Sequence, residues 1–173
     1  ARKQVDCSQF MQAIVERMIG RKLSETEAKA VLIAGLPPGA RVLDSLIDAH
    51  DVRITGVQYA LTEIIPIGRA VSIDSVKPGD LIQYWIRSSS GHYKGHTAVI
   101  ETVGQSDNIP VATLYGSHKT LGGIGTAVDR SGRTLKLRLR GEGRQVFLAR
   151  IDPELLTIFF ARQSTFRTPD TEK

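Results

Sequence analysis

Hydrophobic positions recur at helical spacing from the start of the chain. Phe10, Met11, Ile14, Val15 and Met18 lie three and four residues apart, which sets them on one face of a helix. Asp6 precedes the run as its N-cap, and the helix should end near Gly20. Ser24 followed by Glu27 has the form of a capping box opening a second helix through Ala34, which Gly35 and the Pro37-Pro38 pair then stop. A weaker helical pattern covers Leu43 to Ala49. Gly56 to Leu61 reads as a short helix before the breaks at Pro66 and Gly68.

The pattern changes character at Lys77. Pro78-Gly79-Asp80 predicts a turn, Leu81 to Arg87 a strand, Ser88 to Gly95 a polar loop and Thr97 to Val103 a second strand. Gly104 to Pro110 is turn-like, so Val111 to Tyr115 should return antiparallel. Gly116 to Gly125 reads as a glycine-rich loop. Leu135, Leu137 and Leu139 then alternate with Lys136, Arg138 and Arg140, which predicts a strand with one packed face and one cationic face. Gln145 to Ile151 reads as a further strand and Pro153 to Ala161 as a short strand or helix. Helices first and strands afterwards argue for an α+β domain with an antiparallel sheet rather than for alternating βαβ units. A chain of 173 residues suits one domain. That domain spans 1–163, with 164–173 as a polar tail.

Composition narrows the partners. The hydrophobic fraction is 41% and the charged fraction 24%, near globular averages, and no apolar run approaches the roughly 18 residues of a membrane span. Ala1 to Gln4 has no apolar run behind it to act as a signal peptide. The net charge of +5 and pI near 9.6 favour an anionic partner such as a wall polymer, a nucleic acid or a lipid surface. Without a recognised nucleic-acid motif, nucleic acid is not expected. The one cysteine excludes an internal disulfide, and four histidines at scattered spacings argue against a structural metal site. Neither a metal nor an organic cofactor is expected.

Cys7 directly follows the N-cap, where unpaired N–H groups and the positive end of the helix dipole stabilise a thiolate. A lone cysteine is more commonly a small buried hydrophobe. Asp6-Cys7-Ser8-Gln9-Phe10, Pro78-Gly79-Asp80-Leu81 and Gly95-His96-Thr97-Ala98-Val99-Ile100 change that balance. In this order they resemble the motifs of the NlpC-type and CHAP-type cysteine peptidases, the papain-like peptidoglycan hydrolases. The resemblance implies a papain-like fold with the catalytic helix packed on the sheet, Cys7 as nucleophile, His96 as base and a third polar residue on the next strand. The substrate would be an amide bond of bacterial peptidoglycan, and the protein would be secreted, periplasmic or associated with the cell wall. A monomer is expected.

In the family the third residue follows the histidine by an even number of positions. His118 meets that parity, Ser117 needs a bulge to do so, and Asn108 lies in the predicted turn. An upstream side chain often completes the oxyanion site of relatives. Here six residues precede Cys7, which leaves that part absent, rearranged or supplied by Gln4 or Gln83. Trp85, His92 and Ser117 are further candidates for lining a substrate cleft, although core packing is the ordinary fate of Trp85 and solvent that of a loop residue such as His92. His50 reads as a surface residue. A catalytically silent module binding wall fragments or a protein partner is the alternative, and an acyltransferase using the same nucleophile is a third.

Overall fold

The computed structural model describes residues 6–33, 43–118 and 123–165. Helix α1 (Cys7–Ile19) begins at a reciprocal capping box: the Asp6 carboxylate accepts from the Gln9 backbone N–H at 2.8 Å, while the Gln9 side chain accepts from the Asp6 N–H. It ends at Gly20, whose φ of 69° is the left-handed cap that glycine adopts without strain. Helix α2 (Glu25–Val31) opens on the Ser24–Glu27 box. It stops sooner than its pattern predicts, with Leu32 already extended; the expected stop at Gly35 and Pro37-Pro38 lies outside the described residues. Helix α3 (Leu43–Asp48) and helix α4 (Val57–Tyr59), which widens into a π-helical turn over Ala60–Ile64, complete the helical half.

Among the described residues, seven strands form one sheet, joined by antiparallel pairing throughout. These are β1 (Gly68–Ala70), β2 (Leu81–Arg87), β3 (Tyr93–Ser106), β4 (Ile109–His118), β5 (Gly123–Thr126), β6 (Leu137–Arg138) and β7 (Arg144–Ile151). The order is β1-β7-β2-β3-β4-β5, with β6 also paired to β4. The domain is therefore α+β, with an antiparallel sheet and an N-terminal helix. Helix α5 (Pro153–Thr165) closes it, and it reaches into the stretch read as a tail. Among the described residues no helix is long and apolar enough to cross a membrane.

Several strand boundaries differ from the sequence reading, and β3 already begins at Tyr93, inside the stretch read as the Ser88–Gly95 loop, because Tyr93 to Gly95 pair with Arg87 to Trp85 of β2. The β3–β4 turn is only Asp107-Asn108, with φ of 52° and 60°, a two-residue hairpin turn that Asp and Asn tolerate in the left-handed region. Gly104 and Pro110 are strand residues. Gly116 to His118 extend β4 rather than entering a loop, and Gly116 fits because a Cβ there would lie 3.3 Å from that of Ala98. The Leu135–Arg140 alternation yields only the short β6: Leu139 is buried while Leu135 is 46% exposed. Its cations are mostly paired, Arg138 with Asp107 and Arg140 with Asp74.

Side-chain alternation splits the core between the two faces of the sheet. On one face Leu81, Val99 and Ala149 pack with Met11, Val15 and Ile19 of α1, Val31 of α2 and Leu61. Trp85 and Phe147 on that same face meet Ile33, Ile47 and Ile54. The other face carries Ile82, Ala98, Ile100, Leu114 and Leu148 and is closed by Ala127 and Leu139. The Pro-Gly-Asp turn is bolted to this frame. Asp80 is 1% exposed, accepts from the Lys77 N–H, and takes a two-pronged pair from Arg150 at 2.7 and 2.9 Å, while Arg150 also donates to the Ser75 carbonyl.

Candidate active site

The histidines are brought together by strand register. Tyr84 of β2 stands directly opposite His96 of β3, and Val99 stands opposite Tyr115 of β4. Continuing that register toward the start of β3 sets Thr97 opposite Ser117 and His96 opposite His118. The His96 and His118 ring centroids are 4.9 Å apart, and the Tyr84 ring meets His96 edge-on at 5.7 Å. Tyr84, His96 and His118 thus form a row across three neighbouring strands. Alternation along β2 sets Tyr84 and Trp85 on opposite faces, one for the core and one beside a cleft; cross-strand register is what places Tyr84 beside His96.

Burial sets the electrostatics of this row. It holds His96 down to about 4, assisted by the neighbouring His118, because an imidazolium would lose its hydration there. His118 is lowered by the same cause, while a hydrogen bond with the Leu114 backbone works in the opposite direction. Both rings are neutral at pH 7. Tyr84 is pushed up to about 12 by burial and then by the charge of a Cys7 thiolate, with Arg144 opposing. The Nε2 atoms of both histidines are buried and lack a hydrogen-bond partner.

Cys7 occupies the first residue of α1 and is half-buried. Its side chain packs against the Ile33–Trp85–Phe147 cluster, so it approaches the sheet from the helical side. Tyr84, His96 and His118 project from the other side, because Tyr84 and Trp85 are consecutive on β2. No hydrogen bond links Cys7 to His96 among the described residues. Of the row, Tyr84 is the member raised, after burial, by Cys7; the shifts of His96 and His118 have other causes, and neither ring is in contact with the thiol.

The proposed cleft residues are distributed differently from their expected arrangement. Gln83 is 1% exposed beneath α4, where its amide donates to the Thr55 carbonyl and crowds the space beside Gly56. Trp85 is 3% exposed in the core and its ring covers Gly95. Interior packing removes both from the role of surface substrate contacts, a correction to the sequence reading. Ser117 is buried on the helical side of β4. His92 is exposed on the β2–β3 loop, with its Nδ1 at 3.2 Å from the Asp44 carboxylate. His50 is exposed, stacks on Phe147 at 4.2 Å and bonds to Gln145. Gln4 lies outside the described residues.

Chemically, a neutral imidazole with an unused nitrogen can accept a proton, and a negative charge beside it would offset the burial that now disfavours its cationic form. A thiol at a helix start can be ionised more readily than one in bulk solution. Among the described residues, no group of His, Cys, Asp and Glu is arranged to hold a metal ion. Comparison of the chain with protein-family models, curated proteins and solved structures gave no match.

Proposed function

We propose that this chain is a cysteine amide hydrolase of the papain-like kind, acting on peptide or amide bonds of bacterial cell-wall peptidoglycan. The observation that carries the reading is the pairing of two neutral histidines with unused Nε2 atoms, in one domain with a thiol that begins a capped helix. In the reaction, Cys7 Sγ attacks the amide carbonyl as His96 takes the thiol proton. His96 then returns that proton to the leaving amine, and water cleaves the thioester to release the acid and restore the thiol. His118 orients His96. The net positive charge of the chain favours approach to an anionic wall, and such a substrate goes with a secreted, periplasmic or wall-associated enzyme.

This chemistry requires Sγ to reach His96 Nε2, and that approach is what the experiment reads. The rate of Cys7 alkylation is followed against pH, alongside cleavage of purified sacculi. The reading expects a thiolate fraction above that of a model thiol at neutral pH, reduced in His96→Gln, and cleavage abolished in Cys7→Ala. Ordinary thiol reactivity, indifferent to His96, together with intact sacculi would overturn it.

The separation of Cys7 from the histidine row by the sheet supports a second reading, a catalytically silent module that binds wall fragments. Saturable binding to sacculi that persists in Cys7→Ala, without cleavage by the parent chain, would select it.

A further inference from the structure

A cavity of about 420 Å³ opens on the sheet face opposite the helices, within the roughly 300–1,000 Å³ range of small-molecule sites. Its walls divide by chemistry. Leu114, Ala127, Leu135 and Leu137 make an apolar lining, while Lys136, Arg138 and Arg144 bring cations to it. Arg138 is engaged by Asp107, and Arg144 spends one N–H on the Arg138 carbonyl. No carboxylate is paired with Lys136 or Arg144 among the described residues. No acidic side chain lines the cavity.

Ile86 adds to the apolar lining, and two polar side chains, Tyr84 and His118, complete the wall. His118 keeps a buried Nε2 without a hydrogen-bond partner, a condition that costs free energy and that a ligand relieves only by turning the ring toward the cavity. Cations without counter-charges call for an anion. Apolar walls call for small hydrophobic groups beside it, and the tyrosine and histidine call for a polar backbone between the two. A simple fatty acid would supply the first two features but leave the third unanswered.

We propose that this cavity binds the C-terminal end of a short peptide with small apolar side chains, its carboxylate held by Lys136 and Arg144 and its amide facing His118 and Tyr84. The inference shares His118 with the hydrolase reading, but the cavity lies across the sheet from Cys7, so it does not depend on Cys7 reacting.

The test is calorimetric titration of the full chain at low salt with N-acetyl-alanyl-alanine, its C-terminal amide and octanoate. The acid should bind at least about tenfold more tightly than the amide, the scale of one charge-assisted hydrogen bond. Binding should weaken with added salt and by several-fold in Lys136→Gln, which disturbs no ion pair among the described residues and so keeps the test sound if Arg144→Gln fails to fold. Cys7→Ala should bind as the parent does, so that a failed hydrolase reading and a failed pocket are told apart. Equal binding of acid and amide, octanoate binding as tightly as the dipeptide, no binding at all, or indifference to Lys136→Gln would each overturn the proposal.

Discussion

His96 and His118 face one another from neighbouring strands, ring centroids 4.9 Å apart and tilted by 36°. Neither ring carries a proton beyond its neutral form at pH 7, because burial penalises the cation in both, assisted at His96 by the neighbouring His118. The pair is a store of pH sensitivity whatever reaction it serves.

The first prediction concerns that sensitivity. His96 titrates near 4 in the folded chain against about 6.5 when unfolded. Between those values the unfolded chain binds more protons, so stability is full above about 6.5 and falls as pH drops toward 4. Lowering pH from 6.5 to 4.5 should cost about 2 kcal/mol. Glu27 and Asp51, each held at about 2, lose their contributions mainly below that window. Urea midpoints across pH 7 to 4.5 should therefore fall in the parent chain and fall less in His96→Gln; equal slopes would contradict the buried neutral ring.

The Asp80–Arg150 pair gives the second prediction. Asp80 is enclosed, and its carboxylate joins the Pro-Gly-Asp turn to β7 through two hydrogen bonds. Asp80→Ala leaves Arg150 and the Lys77 N–H without their acceptor. Because the remaining Arg150 side chain is 37% exposed, unfolding in urea should show a loss of about 2 kcal/mol, the scale for losing hydrogen bonds to a charged group. A loss comparable to that of a surface pair, under about 1 kcal/mol, would show that the turn holds without it.

What the sequence makes legible is local. Both capping boxes can be read from it because Asp6–Gln9 and Ser24–Glu27 are contacts within one helical turn. The facing of His96 and His118 is not local in this sense, because it depends on a β-bulge between Ile100 and Thr102 that shifts the β3–β4 register by one residue. The face from which each side chain projects is a different matter. Ala98 and Ile100 are apolar on one face of β3, and Val99 is apolar on the other. With both faces hydrophobic, nothing in the pattern says which one the helices cover, and so nothing in it separates Cys7 from His96. The glycines mislead for a related reason: Gly116 and Gly95 sit in strands where neighbours approach closely, a use of glycine that local punctuation rules assign to turns.

The cap of α1 provides the third prediction, because it separates helix stability from thiol chemistry. Asp6→Ala removes the acceptor of the Gln9 N–H and should cost about 1 kcal/mol. Asp6→Asn keeps an acceptor and should stay within a few tenths of a kcal/mol of the parent. The same change removes a negative charge next to Cys7, which favours the thiolate. Alkylation at pH 7.5 should be faster in Asp6→Asn than in the parent at nearly equal thermal stability, and slower alkylation would contradict that account.

Gly95 supports the last prediction, which uses the sole tryptophan of the chain as its reporter. A Cβ on Gly95 would lie 2.4 Å from the nearest atom of the Trp85 ring, closer than any tolerated contact, and the ring is held in the Ile33–Ile47–Ile54–Phe147 cluster with 3% exposure. Gly95→Ala must therefore displace Trp85 or shift β3 away from β2. Overpacking of this kind costs about 1–3 kcal/mol. Displacement of the indole toward water should shift its emission to longer wavelength in the folded state, well below the unfolding midpoint. A variant with unchanged emission and unchanged stability would mean that Trp85 does not cover Gly95. If the shift occurs and is accompanied by faster alkylation of Cys7, the same measurement shows that Trp85 shields the thiol as well, since Cys7 packs on the cluster that holds the ring.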